Sequence, residues 1–99
     1  MKEPLTWLQE WYFEHCNGDW EHREGIKIGT LDNPGWWMQI NIADTELEDL
    51  SIERVLVERS ENDWIAYETK EGKFVGHCGP LGLNELVAVF KKYCDALDD

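Results

Sequence analysis

Basic residues are scarce in this 99-residue chain: nine Lys and Arg stand against 21 Asp and Glu, a formal net charge of −12. Binding to phosphates needs a basic footprint, so the deficit argues against a direct nucleic-acid ligand. It suits a partner that is itself basic, because charge complementarity speeds association and excludes wrong partners. Long apolar runs are also missing, and none approaches the length of a membrane span. The opening stretch MKEPLTWLQEWYFEHC carries acids inside its apolar run and no small-residue cleavage site, unlike a signal peptide. Cysteine is limited to Cys16, Cys78 and Cys94, an odd, widely spaced set that implies no complete disulfide framework. Free thiols point to a reducing compartment, so the expected location is cytoplasmic. Glycine-rich phosphate loops, internal repeats and low-complexity segments are absent.

What is present is enough for one folded domain spanning residues 1–99. Hydrophobic residues make up 42% of the chain and include six Trp, which argues against a disordered polymer despite 30% charge. The organising stretch is GDWEHREGIKIGTLDNPGWWMQINI, Gly18 to Ile42, read as two strands folded back across Asn33-Pro34-Gly35. Pro at the second turn position and Gly at the third predict a type II or related turn, with Gly35 at positive φ. Alternation puts Trp36, Met38, Ile40 and Ile42 on the core face. Trp37, Gln39 and Asn41 then fall on the wet face.

Around this hairpin the pattern predicts a helix from Pro4 to about Cys16, with Leu5, Leu8, Trp11 and Tyr12 as its apolar stripe. Asp19 to Gly25 reads as a polar connection, and Asp44 to Asp49 (DTELED) as an acidic loop. Further strands are expected at Ile52–Arg59, with Val55 and Val57 inward, at Trp64–Thr69 and at Lys73–Cys78. The turns between them are Ser60 to Asp63 and Glu71-Gly72. A closing helix begins near Leu83 or Asn84, with Asn84 as a candidate N-cap. Short turns imply antiparallel pairing, so the expected class is α+β: an antiparallel sheet of about five strands with an N-terminal and a C-terminal helix packed on one face.

Three chemistries compete for the remaining residues. Cys78, between strand and helix in HCGPLGLNE, has the setting of a rhodanese-like sulfurtransferase nucleophile, because a helix N-terminus lowers a thiol pKa. Against this, Pro80 removes a backbone N–H, no Lys or Arg lies between Cys78 and Lys91, and His77 points to the opposite side of the strand. A small buried core cysteine is the alternative. Metal ligation is disfavoured, because His15, Cys16, His22, His77, Cys78 and Cys94 contain neither CxxC nor HxxxH spacing. No cofactor is implied. Trp20, Trp37 and Trp64, set among polar residues, suit either a protein interface or sugar stacking.

The segments WLQEWY, NGDWEH, GIKIGTLDNPGW and NDW, with TELED and EGKFVGHCGPLGLNEL, resemble the immunity protein 53 family of bacterial polymorphic toxin systems. The resemblance runs from about Trp7 to the final helix. It implies a small α+β protein, not an enzyme, that binds and neutralises a secreted toxin. Residues matching the family's recurrent positions are Trp7, Trp11, Gly18, Asp19, Trp20, Glu21, His22, Asp32, Asn33, Pro34, Gly35, Trp36 and Trp64. The expected partner is therefore a cognate protein toxin. A basic nuclease is one class that suits the charge, and a deaminase or a protease are others. Nucleic acid and membrane are not expected partners, and nothing in the residues sets an oligomeric state. The expected contact surface combines Trp37, Gln39 and Asn41 with the acids Asp44, Glu46, Glu48, Asp49, Glu61 and Asp63: aromatic contact area with carboxylates that steer and orient the partner.

Overall fold

Pro4, at a helical position that lacks an N–H partner anyway, starts α1 (Pro4–His15), which closes at Cys16 where the backbone N–H returns to Phe13 O. These details come from a computed structural model that describes residues 3–97. Residues 19–25, expected as a connection, instead contain a single helical turn, α2 (Trp20–Arg23). The local sequence explains it. Asn17 Oδ1 accepts from the N–H groups of Asp19 and Trp20, and the Glu21 carboxylate reaches back to the N–H groups of Asn17 and Gly18. This reciprocal capping satisfies donors that a four-residue helix leaves open, and Gly18 accommodates the turn at φ +90°.

Five strands follow: β1 (Ile26–Leu31), β2 (Gly35–Asn41), β3 (Val55–Ser60), β4 (Asp63–Lys70) and β5 (Lys73–Cys78). A final helix, α3, covers Leu83–Leu97. Asn84 lies inside α3 and does not cap it, since helical bonding already begins from Leu86 N to Gly82 O. The strands form one antiparallel sheet in the order β1-β2-β5-β4-β3. Thus the chain leaves β2, second from one edge, crosses to the far edge for β3 and returns by two hairpins that set β5 at the centre, paired with β2.

The β1–β2 turn differs from the one that Pro34-Gly35 suggests. Leu31 pairs with Gly35, so the loop is Asp32-Asn33-Pro34 and Gly35 is the first residue of an extended strand. Its φ is not positive. Glycine is needed there for space, because a Cβ would stand 2.3 Å from the Cys78 carbonyl oxygen of the adjoining strand end. Glu71 and Gly72, at φ +52° and +77°, do form a left-handed two-residue hairpin.

Alternation divides the sheet into two faces. Met38, Ile40, Phe74, Cys78 and Ile65 are buried on one face, beneath α1 and α3. Phe90 of α3 joins the layers, packing against Trp7 and Trp11 of α1 and Phe74 of β5. Gly76 lets α3 sit close, since a Cβ would meet Leu86 Cδ1 at 2.5 Å. β3 begins three residues later than the alternation suggested. Val55 and Val57 do lie opposite Tyr67 and Ile65 on the helix side, but at a sheet edge, so Val57 stays exposed.

Candidate interaction surface

Among the described residues no helix covers the second sheet face. Pairing brings Gly29, Trp37, His77, Ala66 and Leu56 into one row across all five strands. The next row is Lys27, Gln39, Val75 and Glu68. Trp37 lies at the centre of the β1 side, its indole folded over Gly29. A Cβ on Gly29 would be only 2.5 Å from Trp37 Nε1, so glycine makes the seat for that ring. Among the described residues the Trp37 side chain makes no hydrogen bond and no aromatic pair.

The other tryptophans differ in this respect. Trp20 is 1% exposed, meets Trp11 and Tyr12 at ring distances of 5.7 Å, and donates its indole N–H to Asn41 O at 3.2 Å. Trp36 donates to Pro80 O at 3.1 Å, tying the start of β2 to the loop before α3. Trp11 is buried, and Trp7 packs on Phe90 with Lys91 Nζ 5.8 Å over its ring. Trp64 is half-buried beside Gly79. Most residues of the recurrent motifs therefore hold the fold: Glu21 binds the Gly18 N–H at the entry to α2, Asp19 pairs with Arg23, and Gly35 permits strand approach. His22, Asp32, Asn33 and Pro34 are exposed.

Asn41 does not belong to the wet face. It is 8% exposed, its Oδ1 accepts from Ala43 N, and its backbone oxygen holds Trp20. Alternation placed it correctly by parity, but its side chain turns back onto the Ala43 N–H and is buried at the end of β2. Gln39 remains half-buried between Lys27 and Val75.

The six expected carboxylates do not make one patch. Asp44, Glu46, Glu48 and Asp49 stand where β2 ends, and Glu61 and Asp63 stand where β4 begins, at the opposite end of the sheet. With eight residues in β4, the two groups are roughly 20–25 Å apart along the strands. Three of these acids are already held in ion pairs, and Glu48 accepts from the Asp44 N–H. Asp44 pairs with Arg23 at 2.7 Å, Glu46 with His15 at 2.7 Å, and Asp63 shares Arg59 with Glu85. Those two carboxylates hold the Arg59 pKa above its ordinary value. Glu48, Asp49 and Glu61 form no ion pair among the described residues and remain exposed.

The acidic loop is built rather than loose. Thr45 Oγ1 donates to Ile42 O, Leu47 is buried to 1%, and Asp44 adopts φ +63°. His15 clamps it to α1. Its ring stacks on Trp11 at 4.0 Å, with Nδ1 2.7 Å from Trp11 O and Nε2 2.7 Å from Glu46 Oε2. Both neighbours are acceptors, so the ring serves both only when both nitrogens carry protons. Burial works to raise the Glu46 pKa, but the hydrogen bond from His15 and the adjoining N–H groups outweigh it and hold the carboxyl below its ordinary value.

Cys78 is fully buried, and burial pushes its thiol pKa up, the reverse of what a nucleophile requires. The sulfurtransferase reading gains no support from this site. No group of three or more His, Cys, Asp or Glu among the described residues could hold a metal ion. No helix of the described residues is long and apolar enough to cross a membrane.

The chain is thus a small α+β protein whose sheet carries helices on one face. The profile of the immunity protein 53 family matches residues 5–95 of the chain, and the protein belongs to that family. Membership implies a toxin as its partner. Neither the curated proteins nor the solved structures contain a match.

Proposed function

We propose that this protein neutralises a cognate secreted toxin by stoichiometric binding, with the uncovered sheet face as its contact area. The observation that carries the reading is Trp37, a large aromatic on an uncovered face, held by neither a hydrogen bond nor a ring partner. Such residues supply desolvated contact area at interfaces. Gln39 and the half-buried Trp64 and His77 extend the face on either side. Of the carboxylates, Glu48, Asp49 and Glu61 form no ion pair among the described residues and can steer a basic partner, Glu48 also accepting from the Asp44 N–H, whereas Asp44, Glu46 and Asp63 first serve the fold. Competing for a basic active site, in the manner of a phosphate mimic, is one way such charge blocks a nuclease.

The test is binding to the toxin encoded beside this gene, measured by surface plasmon resonance. Trp37→Ala weakens the complex by at least ~1–2 kcal/mol with the fold intact. An unchanged affinity removes Trp37 from the contact surface. Glu48→Lys with Asp49→Lys slows association more than it speeds dissociation, and the difference shrinks in high salt. A salt-independent association rate overturns the steering role.

A further inference from the structure

The two edges of the sheet are not alike. β3 closes one edge with a register shift between Glu58 and Ser60 and with charged side chains along it. Bulges and charges of this kind block strand addition. β1, at the other edge, pairs with β2 without interruption from Ile26↔Ile40 to Leu31↔Gly35. Asn41 N donates to Gly25 O, which sets the hydrogen-bonding phase of the pair. By alternation Lys27, Gly29 and Leu31 bond to β2, and the N–H and C=O groups of Ile26, Ile28 and Thr30 point out of the sheet.

Those same three residues direct their side chains toward α1. Between α1 and β1 lies an open apolar groove of about 440 Å³ lined by Leu5, Leu8, Tyr12, Ile26 and Ile28, with Gln9 at its rim. Leu5, Tyr12 and Ile28 are 42%, 38% and 38% exposed although all three belong to apolar stripes. The sheet stops one strand short of covering the underside of α1. An unpaired backbone ladder and an apolar groove thus run side by side, which is what an added strand needs: main-chain bonds on one side and pockets for alternate side chains on the other.

We infer that this edge receives an extended, basic segment of the partner, which pairs with β1 as a sixth strand and places alternate apolar side chains in the groove. Charge selects that occupant over a second copy of the chain. The groove lining carries no charged residue of its own, Asp32 stands at the end of β1, and the chain as a whole is at −12, which attracts a basic segment and makes two copies repel. The inference rests on the toxin-binding reading and adds a second point of contact to it.

The experiment is residue-resolved amide hydrogen exchange on the free protein and on its complex with the toxin encoded beside this gene, together with Thr30→Pro. Proline at Thr30 removes an outward N–H and obstructs the edge while leaving the bonds to β2 in place. The expected result is fast exchange at Ile26, Ile28 and Thr30 in the free protein, protection in the complex, and at least roughly tenfold weaker binding by Thr30→Pro. A complex that forms without protecting these amides overturns the strand addition and leaves the toxin reading standing. Protection already present in the free protein, with a dimer in light scattering, assigns the edge to a second copy and also overturns it. If no complex forms, both readings fall. Should Thr30→Pro not fold, the exchange pattern of the native chain still decides.

Discussion

Replacing Trp20 by Ala tests how this small domain holds together. The ring is 99% buried among Trp11, Tyr12 and His15, at centroid distances of 5.7, 5.7 and 5.9 Å. Truncating a buried Trp costs about 3–5 kcal/mol in lost transfer energy and cavity. It also strands the Asn41 oxygen that accepts the indole N–H, for a further ~1 kcal/mol or more. The expected loss is about 4–6 kcal/mol, a large part of the ~5–15 kcal/mol that a domain of this kind has in total. At ~4–8 °C per kcal/mol for this size, the melting temperature falls by about 20–40 °C. Urea unfolding followed by circular dichroism measures it, with Trp37→Ala as the control. Trp37 has no hydrogen bond or ring partner to lose and should cost less than ~1.5 kcal/mol. A Trp20→Ala loss below ~2 kcal/mol, or equal losses for the two variants, refutes this division between a tryptophan that holds the fold and one available for contact.

Gly29→Ala places a methyl group where Trp37 now rests, so the indole swings out; a shifted tryptophan emission with a change in stability within ~1 kcal/mol is expected. An unchanged spectrum argues against the seat. The lowered pKa of Glu46 gives a signed pH dependence. Its contribution is present above the unfolded-state value of about 4.3 and is lost as pH falls through the lower folded value. Glu46→Gln removes that contribution, so stability measured from pH 6 down to pH 2 falls less steeply than in the native protein; identical acid limbs contradict the His15–Glu46 clamp. For Cys78, buried with a raised pKa, alkylation by iodoacetamide at pH 8 should proceed only at the rate of unfolding. Rapid labelling of the native protein reopens a thiol chemistry there.

Much of this architecture is local and therefore readable along the chain. Helical spacing identifies α1 and α3, alternation separates Met38 and Ile40 from Trp37 and Gln39, and Glu71-Gly72 announces its hairpin. These patterns work because burial imposes a period of 3.6 on a helix and 2 on a strand. The resemblance carried by the tryptophan motifs likewise names the family correctly. The misreadings share one origin. Asn41 has the parity of a wet residue, but its side chain turns back onto the Ala43 N–H and is buried, while its backbone oxygen is held by Trp20 from 21 positions away. Gly35 has the local look of a turn glycine, yet it answers to the Cys78 carbonyl 43 positions away in the chain. The capping of α2 was locally encoded in NGDWE, and the reach of Glu21 back to Asn17 and Gly18 was the signal that could have revealed it.

The residues themselves determined the element types, the apolar faces, the acidic character and the family. Strand order was a matter for the tertiary structure. Only when β2 pairs with β5, and β3 moves to the far edge, does Trp37 come to lie in a row with His77 and Ala66 on a face that no helix covers. The same order places β1 at an unguarded edge beneath α1 and sends the two acidic groups to opposite ends of the sheet. Pairing across such separations is decided by which apolar faces can be buried together, a property of the whole chain that no short window of sequence contains.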